Sequence, residues 1–355
     1  MELLGCSRID VRARGGQAAE IAVLLGLAER GDTVFYVDEI HGGHFGLTAM
    51  AQHCGIHLLP LPFDSNTHLI DLELLLHTMS SIWQNKTRKV MIVNQSFILR
   101  QQMWEEIILA IKSQFPDAII TCDASHLLGL IIGKQIINPL AHGIDILHAS
   151  THKTFPGPQK AIIIFNNDFP LDLENKVKQA ISPLLQSSCG TAEIIALAVT
   201  FCEMKVYAME YATAVCQNAK VLAHSLVESN ISVTGEAFDF TQTHQCWVPI
   251  GSESDTWKCY ALLHAAGLRA LPGWLPFIGK WGIRFGVNAL TRRGMQAREF
   301  ILLAEWIASL LTSKVSPEKI KLKTEELASQ FPLSKLSYTF DNSAQLSTRE
   351  VVSAC

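Results

Sequence analysis

The stretch 145–160, DILHASTHKTFPGPQK, sets a single lysine, Lys153, just past a strand-like apolar run and just before Phe155-Pro156-Gly157-Pro158. Lysine is almost never buried without a partner, and when desolvated it becomes a nucleophilic amine. Pro156 and Pro158 each fix φ, so the turn is expected to aim this amine rather than tether it. Two more polar residues fall where apolar runs stop: Ser96 beyond KVMIV and Asp123 directly after AIITC. Ligands of open parallel sheets bind at the carboxyl ends of strands, which makes all three candidates for one site. An isolated Asp at such a turn is more commonly a helix cap or an ion-pair partner. Beside a lysine at another strand end it points to different chemistry. The amine holds an aldehyde as an imine and the carboxylate keeps a pyridine nitrogen protonated, which is the arrangement of pyridoxal phosphate.

Such a pair needs a parallel sheet to bring strand ends together, and the chain reads as one. Apolar residues Ile21, Leu24, Leu25 and Leu27 recur at helical spacing before Gly31-Asp32 and a strand at 33–37. Strands at 57–61, 89–93, 118–122, 144–149 and 161–165 then alternate with helices at 70–79 and 103–113. The fold class is therefore α/β, a mostly parallel sheet covered by helices on both faces. A long helical stretch over 191–228 leads to a second region with strands near Ile231 and at 246–250. The expected organisation is a large cofactor-binding domain, 1–205, and a smaller α+β domain, 206–355, whose tail after about 332 is polar and loose.

The 355 residues carry 29 Lys+Arg against 33 Asp+Glu, a net charge of −4 that offers no electrostatic reason for nucleic acid or an anionic membrane as partner. No apolar run is long enough to span a bilayer, and the amino terminus has no basic segment followed by an apolar one. Nine cysteines without a CxxC pair read as reduced thiols, and the expected location is cytoplasmic. A metal site is not expected.

Four segments resemble one family, in collinear order. HGIDILHASTHKTFPGPQ and DASHLLGLIIG are similar to the cofactor lysine and aspartate regions of the serine hydroxymethyltransferases. ELLGCSRIDVRARGGQAAEIAVLLGLAERGDTVFYVDEIHGGHFG and WGIRFGVNALTRRGM resemble that family's amino-terminal and arginine segments. The resemblance implies fold type I, an aspartate aminotransferase-like transferase, with pyridoxal 5'-phosphate as cofactor and a small β-hydroxy amino acid as substrate. It implies a catalytic set of Lys153, which forms the imine, Asp123 at the pyridine nitrogen, His44 stacked on the ring, and His126 with Ser96 near the 3-hydroxyl. Arg284 is implied to take the substrate carboxylate, by a fork that matches it bidentately.

In the phosphate turn the chain reads ARGGQ, so the resemblance leaves the backbone N–H groups of Gly15, Gly16 and Gln17 for the anion and adds Arg14 as a direct partner. Ser150 and His152, in the lysine segment, fall beside the cofactor as well. Ser187 and Ser188, after Gln186, stand where the family has a glycine pair that reaches the neighbouring subunit's phosphate. A homodimer with shared active sites follows from that correspondence.

The chain begins beyond the segment that in this family supplies a catalytic glutamate and active-site tyrosines, and AGLRALPGWLPFIGKWGIR replaces a folate-contacting stretch. Tetrahydrofolate is thus doubtful as co-substrate, and Glu39 and His41 are candidates for acid/base work. The leading reading is an enzyme that makes or breaks the Cα–Cβ bond of serine or another β-hydroxy amino acid, with or without folate. Two alternatives stand beside it: a pyridoxal-phosphate-dependent decarboxylase of basic amino acids, which carries a similar lysine site, and a non-catalytic relative that binds cofactor or dimerises.

Overall fold

The computed structural model describes residues 3–84, 86 and 88–340. Strands β1 (Arg8–Asp10), β2 (Thr33–Tyr36), β3 (His57–Pro60), β4 (Val90–Val93), β5 (Ile119–Asp123), β6 (Ile146–His152) and β7 (Pro156–Phe165) form one sheet, in the order β1-β7-β6-β5-β4-β2-β3. Helices α1 (Gly16–Leu27), α2 (Phe45–Cys54), α3 (Leu72–Trp83), α4 (Trp104–Gln114) and α5 (Leu128–Ile132) lie between its strands, and α6 (Leu171–Gln179) and α7 (Thr191–Glu228) follow. β2 to β6 are parallel, as the alternating pattern predicts. β7 instead runs antiparallel to β6, and the short β1, which the apolar pattern does not reveal, runs antiparallel to β7.

The central strands are apolar on both faces because both faces are covered. Val90, Ile92, Ile146, Ala161, Ile163 and Phe165 join the core formed with α1, α2 and α6. Their neighbours Met91, Val93, Leu147, Ile162 and Ile164 join the larger core with α3, α4, α5 and α7. This division follows the two-residue period of a strand. Fully burying each such side chain contributes about 1.5–3 kcal/mol.

α7 is a single helix of 38 residues. Leu197, Thr200, Met204, Ala208, Tyr211, Val215, Ala219, Leu222 and Leu226 recur every three or four positions and make its buried stripe. The expected boundary at 205/206 falls inside this helix, whose second half packs on a smaller layer. That layer is an antiparallel sheet in the order β8-β10-β9, from β8 (Gln245–Gly251), β9 (Leu271–Leu275) and β10 (Lys280–Gly286). Helices α8 (Glu253–Ala265), α9 (Asn288–Arg292), α10 (Ala297–Leu311) and α11 (Pro317–Gln330) complete it.

The expected strand near Ile231 does not form. Asn230, at φ 63°, turns the chain at the end of α7, and the Ile231 N–H is spent on Leu226 O at 2.9 Å. Of the tail, Tyr338 packs on Tyr211 with ring centroids 5.6 Å apart; residues 341–355 lie outside the described residues. Among the described residues seven cysteines are free, as the reading of reduced thiols expects of them. Among the described residues no helix is long and apolar enough to cross a membrane, and no group of three or more His, Cys, Asp or Glu could hold a metal.

Candidate active site

Lys153 stands in a three-residue turn between β6 and β7, since His152 pairs with Pro156 across the ladder. Phe155 anchors this turn by burying its ring against Phe201, with centroids 4.8 Å apart. The N–H of Gly129 donates to Thr154 Oγ1 at 3.2 Å, Thr151 Oγ1 donates to Pro158 O at 2.7 Å, and Asn288 Nδ2 donates to Lys153 O at 2.9 Å. The two prolines thus belong to β7 rather than to the turn, and the anchoring comes from Phe155, Thr154 and Asn288. Pro156 is tolerated because it is the first residue of its strand.

The lysine amine lies 3.2 Å from Nε2 of His126, whose Nδ1 is 3.3 Å from Nε2 of His244 and 3.4 Å from the side-chain nitrogen of Gln245. The two imidazoles stack at 5.4 Å and 12°. Burial, with the Lys153 and Arg284 charges adding to it, pushes the His126 pKa well down, and burial takes His244 to about 3. Both rings are therefore neutral. Burial also lowers the Lys153 pKa, against the pull of Asp123 and Glu20 and with the push of Arg284. A larger share of this amine is unprotonated, hence nucleophilic, than in a free lysine.

A cavity of about 490 Å³ opens on one side of Lys153, lined by Gly15, Gly16, Gln17, His44, Asp123, Ser125, Ser150 and His152 among others. At one end α1 begins without a side-chain cap, and the N–H of Ala19 is the first to bond back, to Gly15 O at 3.1 Å. The preceding helical N–H groups are left for an anion. A Cβ at Gly16 would stand 2.2 Å from Ser150 Oγ, so only glycine lets the helix end approach β6 this closely. Asp123, the last residue of β5, accepts from the Ser125 N–H at 2.7 Å and sits opposite His148 in the ladder. His44 precedes α2 and places its Nδ1 2.8 Å from Glu20 Oε2. Anion donors, amine and carboxylate in one cavity fit the phosphate, aldehyde and ring nitrogen of pyridoxal phosphate.

A second cavity of about 360 Å³ shares Lys153 and His152 and is lined by His126, His244, Arg284 and Asn288 as well. The Arg284 guanidinium donates to Ser96 O at 3.2 Å and lies 4.3 Å over the Phe97 ring, and burial lowers its pKa to about 10. It remains a cation. Ser96 meets the site through its carbonyl, which accepts from Gln245 as well, at 3.0 Å.

Not every expected residue reaches these cavities. The Arg14 side chain donates to Ser188, through Nε to the carbonyl at 3.1 Å and through a terminal nitrogen to the hydroxyl at 3.3 Å. Neither it nor Ser187 and Ser188 line the first cavity. His41 is held by Asp38 at 2.6 Å and stacks on Phe63, and neither it nor Glu39 borders either cavity. Sequence reasoning misses Glu20, His244, Gln245 and Asn288. Of these only Glu20 carries a signal, as the lone charge inside the apolar run AAEIAVLLGLA.

The chain's residues 4–307 match the family model described as serine hydroxymethyltransferase. It is 33% identical to a serine hydroxymethyltransferase of Thermococcus onnurineus, over 96% of this chain and 80% of the relative. It is 31% identical to one of Methanopyrus kandleri, over 93% and 77%. Among solved structures, an L-threonine transaldolase from Pseudomonas fluorescens superposes with a TM-score of 0.92 at 36% identity, over 99% of this chain and 78% of the other.

Proposed function

Because the chain belongs to the serine hydroxymethyltransferase family, we propose that Lys153 is the lysine that carries its pyridoxal phosphate, with the α1 N-terminus at the phosphate and Asp123 at the ring nitrogen. The chain is a pyridoxal-phosphate-dependent enzyme of the serine hydroxymethyltransferase type, acting on small β-hydroxy amino acids. When bound, the cofactor supplies a sink for the electron pair released at Cα.

The remaining roles fall to this chain's own side chains. Arg284 binds the substrate carboxylate by its fork and orients Cα–Cβ. His126, neutral and within hydrogen-bond distance of the lysine amine, holds and orients that amine. His44 covers the cavity from the α2 side, and Gly15, Gly16, Gln17, Ser150 and His152 line its anion end. The observation that carries the reading is one lysine that borders both a cavity with anion donors and a carboxylate and a cavity with a half-buried arginine.

The reaction we propose is cleavage and formation of the Cα–Cβ bond with glycine as common partner and without a requirement for tetrahydrofolate. The likeness to a threonine transaldolase supports this choice. We propose further that the active form is a homodimer with shared sites. Ile195, Val199, Val206 and Met209 make an apolar stripe on α7, each at least half exposed, which a second copy would cover. The division into a cofactor domain, 1–205, and a smaller domain, 206–355, and a cytoplasmic location complete the proposal.

The test is the absorption spectrum of the purified protein. A visible band lost in Lys153→Ala and changed by glycine or threonine, with aldehyde released at equal rate with and without tetrahydrofolate, is the expected result. A band that survives Lys153→Ala refutes the lysine assignment. Carbon dioxide release from lysine, ornithine or arginine in place of aldehyde refutes the reaction.

A further inference from the structure

We propose that Glu20 is a positioning residue that acts through His44, fixing the orientation and the positive charge of the ring that covers the cavity beside Lys153. The inference rests on that cavity being the cofactor site. Glu20 lies in the middle of α1 and its side chain is fully buried. One carboxylate oxygen, Oε2, lies 2.8 Å from His44 Nδ1; burial raises the Glu20 pKa and this hydrogen bond opposes the rise, so the ionised carboxylate depends on the ring donating its Nδ1–H. The other, Oε1, is buried without any hydrogen-bond partner. A carboxylate half unpaired in the interior is costly unless a positive charge stands against it, and His44 is the group at hydrogen-bond distance that can supply one.

The rest of the His44 surroundings leaves the ring little freedom. Its backbone N–H donates to Asn94 O at 2.9 Å, and Gly46 is packed so closely that a Cβ there would meet His44 Cε1 at 2.9 Å. With Nδ1 committed to Glu20, Nε2 is the nitrogen left for the cavity that His44 lines. The charged and titratable groups that face this pair come from several elements: Asp123 of β5, His126 beyond it, His148 of β6 and Lys153 of the β6–β7 turn. The Glu20 hydrogen bond raises the His44 pKa above its ordinary 6.5, with Asp123 adding and Lys153 opposing. Glu20 thus favours the protonated form of His44, which lines a cavity built for an anionic group. The charge is lost as pH rises through this raised pKa.

Glu20→Gln keeps the shape and an acceptor but removes the charge. Nitrogen NMR of the full, cofactor-free chain reads the His44 ring directly. The expected result is a wild-type His44 that titrates above 6.5 and falls by at least one unit in Glu20→Gln. In the loaded enzyme, kcat/KM for β-hydroxy amino acid cleavage is expected to fall at least tenfold, with its alkaline limb moved down by the same amount. In a His44→Gln background Glu20→Gln is expected to cost nothing further. A wild-type His44 that titrates at or below 6.5 overturns the proposal even if the variant does not fold, and so does an equal loss in both backgrounds. Because the NMR needs no cofactor, failure of the cofactor reading, seen in the Lys153→Ala spectrum, stays separate from failure of this one.

Discussion

Replacing Gly129 by alanine displaces the turn that carries Lys153 without touching the lysine. Gly129 is the second residue of α5, and an added Cβ would stand 2.2 Å from Thr154 O and 2.5 Å from its carbonyl carbon. Both are backbone atoms, so no side-chain rotation relieves the overlap. Ordinary contact begins at 3.4 Å, and the difference between 3.4 and 2.2 is a shift of 1.2 Å that the turn or α5 must absorb. Overpacking of this kind costs about 1–3 kcal/mol of stability. A misplacement of about 1 Å at a reacting group costs about 10²-fold in rate. Gly129→Ala is therefore expected to fold with a lowered melting temperature and to lose about 10²-fold in kcat/KM for aldehyde release from threonine. Gly273→Ala in β9, whose added Cβ would meet nothing within 4 Å, is the control and should match wild type. The assay pairs steady-state kinetics with the melting curve and the intensity of the visible band. A Gly129→Ala protein with wild-type kcat/KM and band would refute the idea that the α5 contact aims the amine.

Three shorter predictions follow from the same geometry. Arg284→Lys gives up the guanidinium's contacts with Ser96 O and the Phe97 ring and the fork that matches a carboxylate. At about 1.5–3 kcal/mol for a hydrogen bond to a charged group, KM for the amino acid should rise by at least about tenfold, and an unchanged KM would exclude Arg284 as the carboxylate partner. Since burial lowers the Lys153 pKa and the neutral amine is the nucleophile, capture of added pyridoxal phosphate by the cofactor-free chain should rise with pH and level off below the ordinary 10.5. Stopped-flow absorbance gives the limb, and a midpoint at or above 10.5 contradicts the desolvated amine. Val206→Glu, on the exposed stripe of α7, should shift light-scattering mass from dimer to monomer and lower cofactor occupancy, whereas an unchanged dimer places the interface elsewhere.

The sheet, the long helix and the lysine, aspartate and histidine at strand ends were legible because each is a local signal. Apolar runs with turn residues mark β2, β4, β5 and β6, and the three- and four-residue spacing over 191–228 matches α7 to the residue. β1 and the direction of β7 were not legible. A three-residue strand carries too little pattern, and Pro156-Gly157-Pro158 reads as a turn although the ladder with β6 absorbs it.

The site divides along the same line. Lys153, Asp123 and His126 are bound to their places by chain neighbours: two stand at the ends of strands that share one parallel sheet, and the third follows β5 by three residues. The sequence alone determines that these three stand at or just beyond the ends of neighbouring strands. Glu20, His244, Gln245 and Asn288 reach the same site from other elements, and no local pattern says which of their many surroundings the fold will choose. Tertiary packing decided it. The close approach of α1 to β6 at Gly16 brings Glu20 to His44, and the first residue of β8 stands opposite Gly286 of β10, which sets His244 and Gln245 beside His126. Side-chain contacts between distant elements depend on volumes and registers summed over the whole core, which a single stretch of residues does not carry.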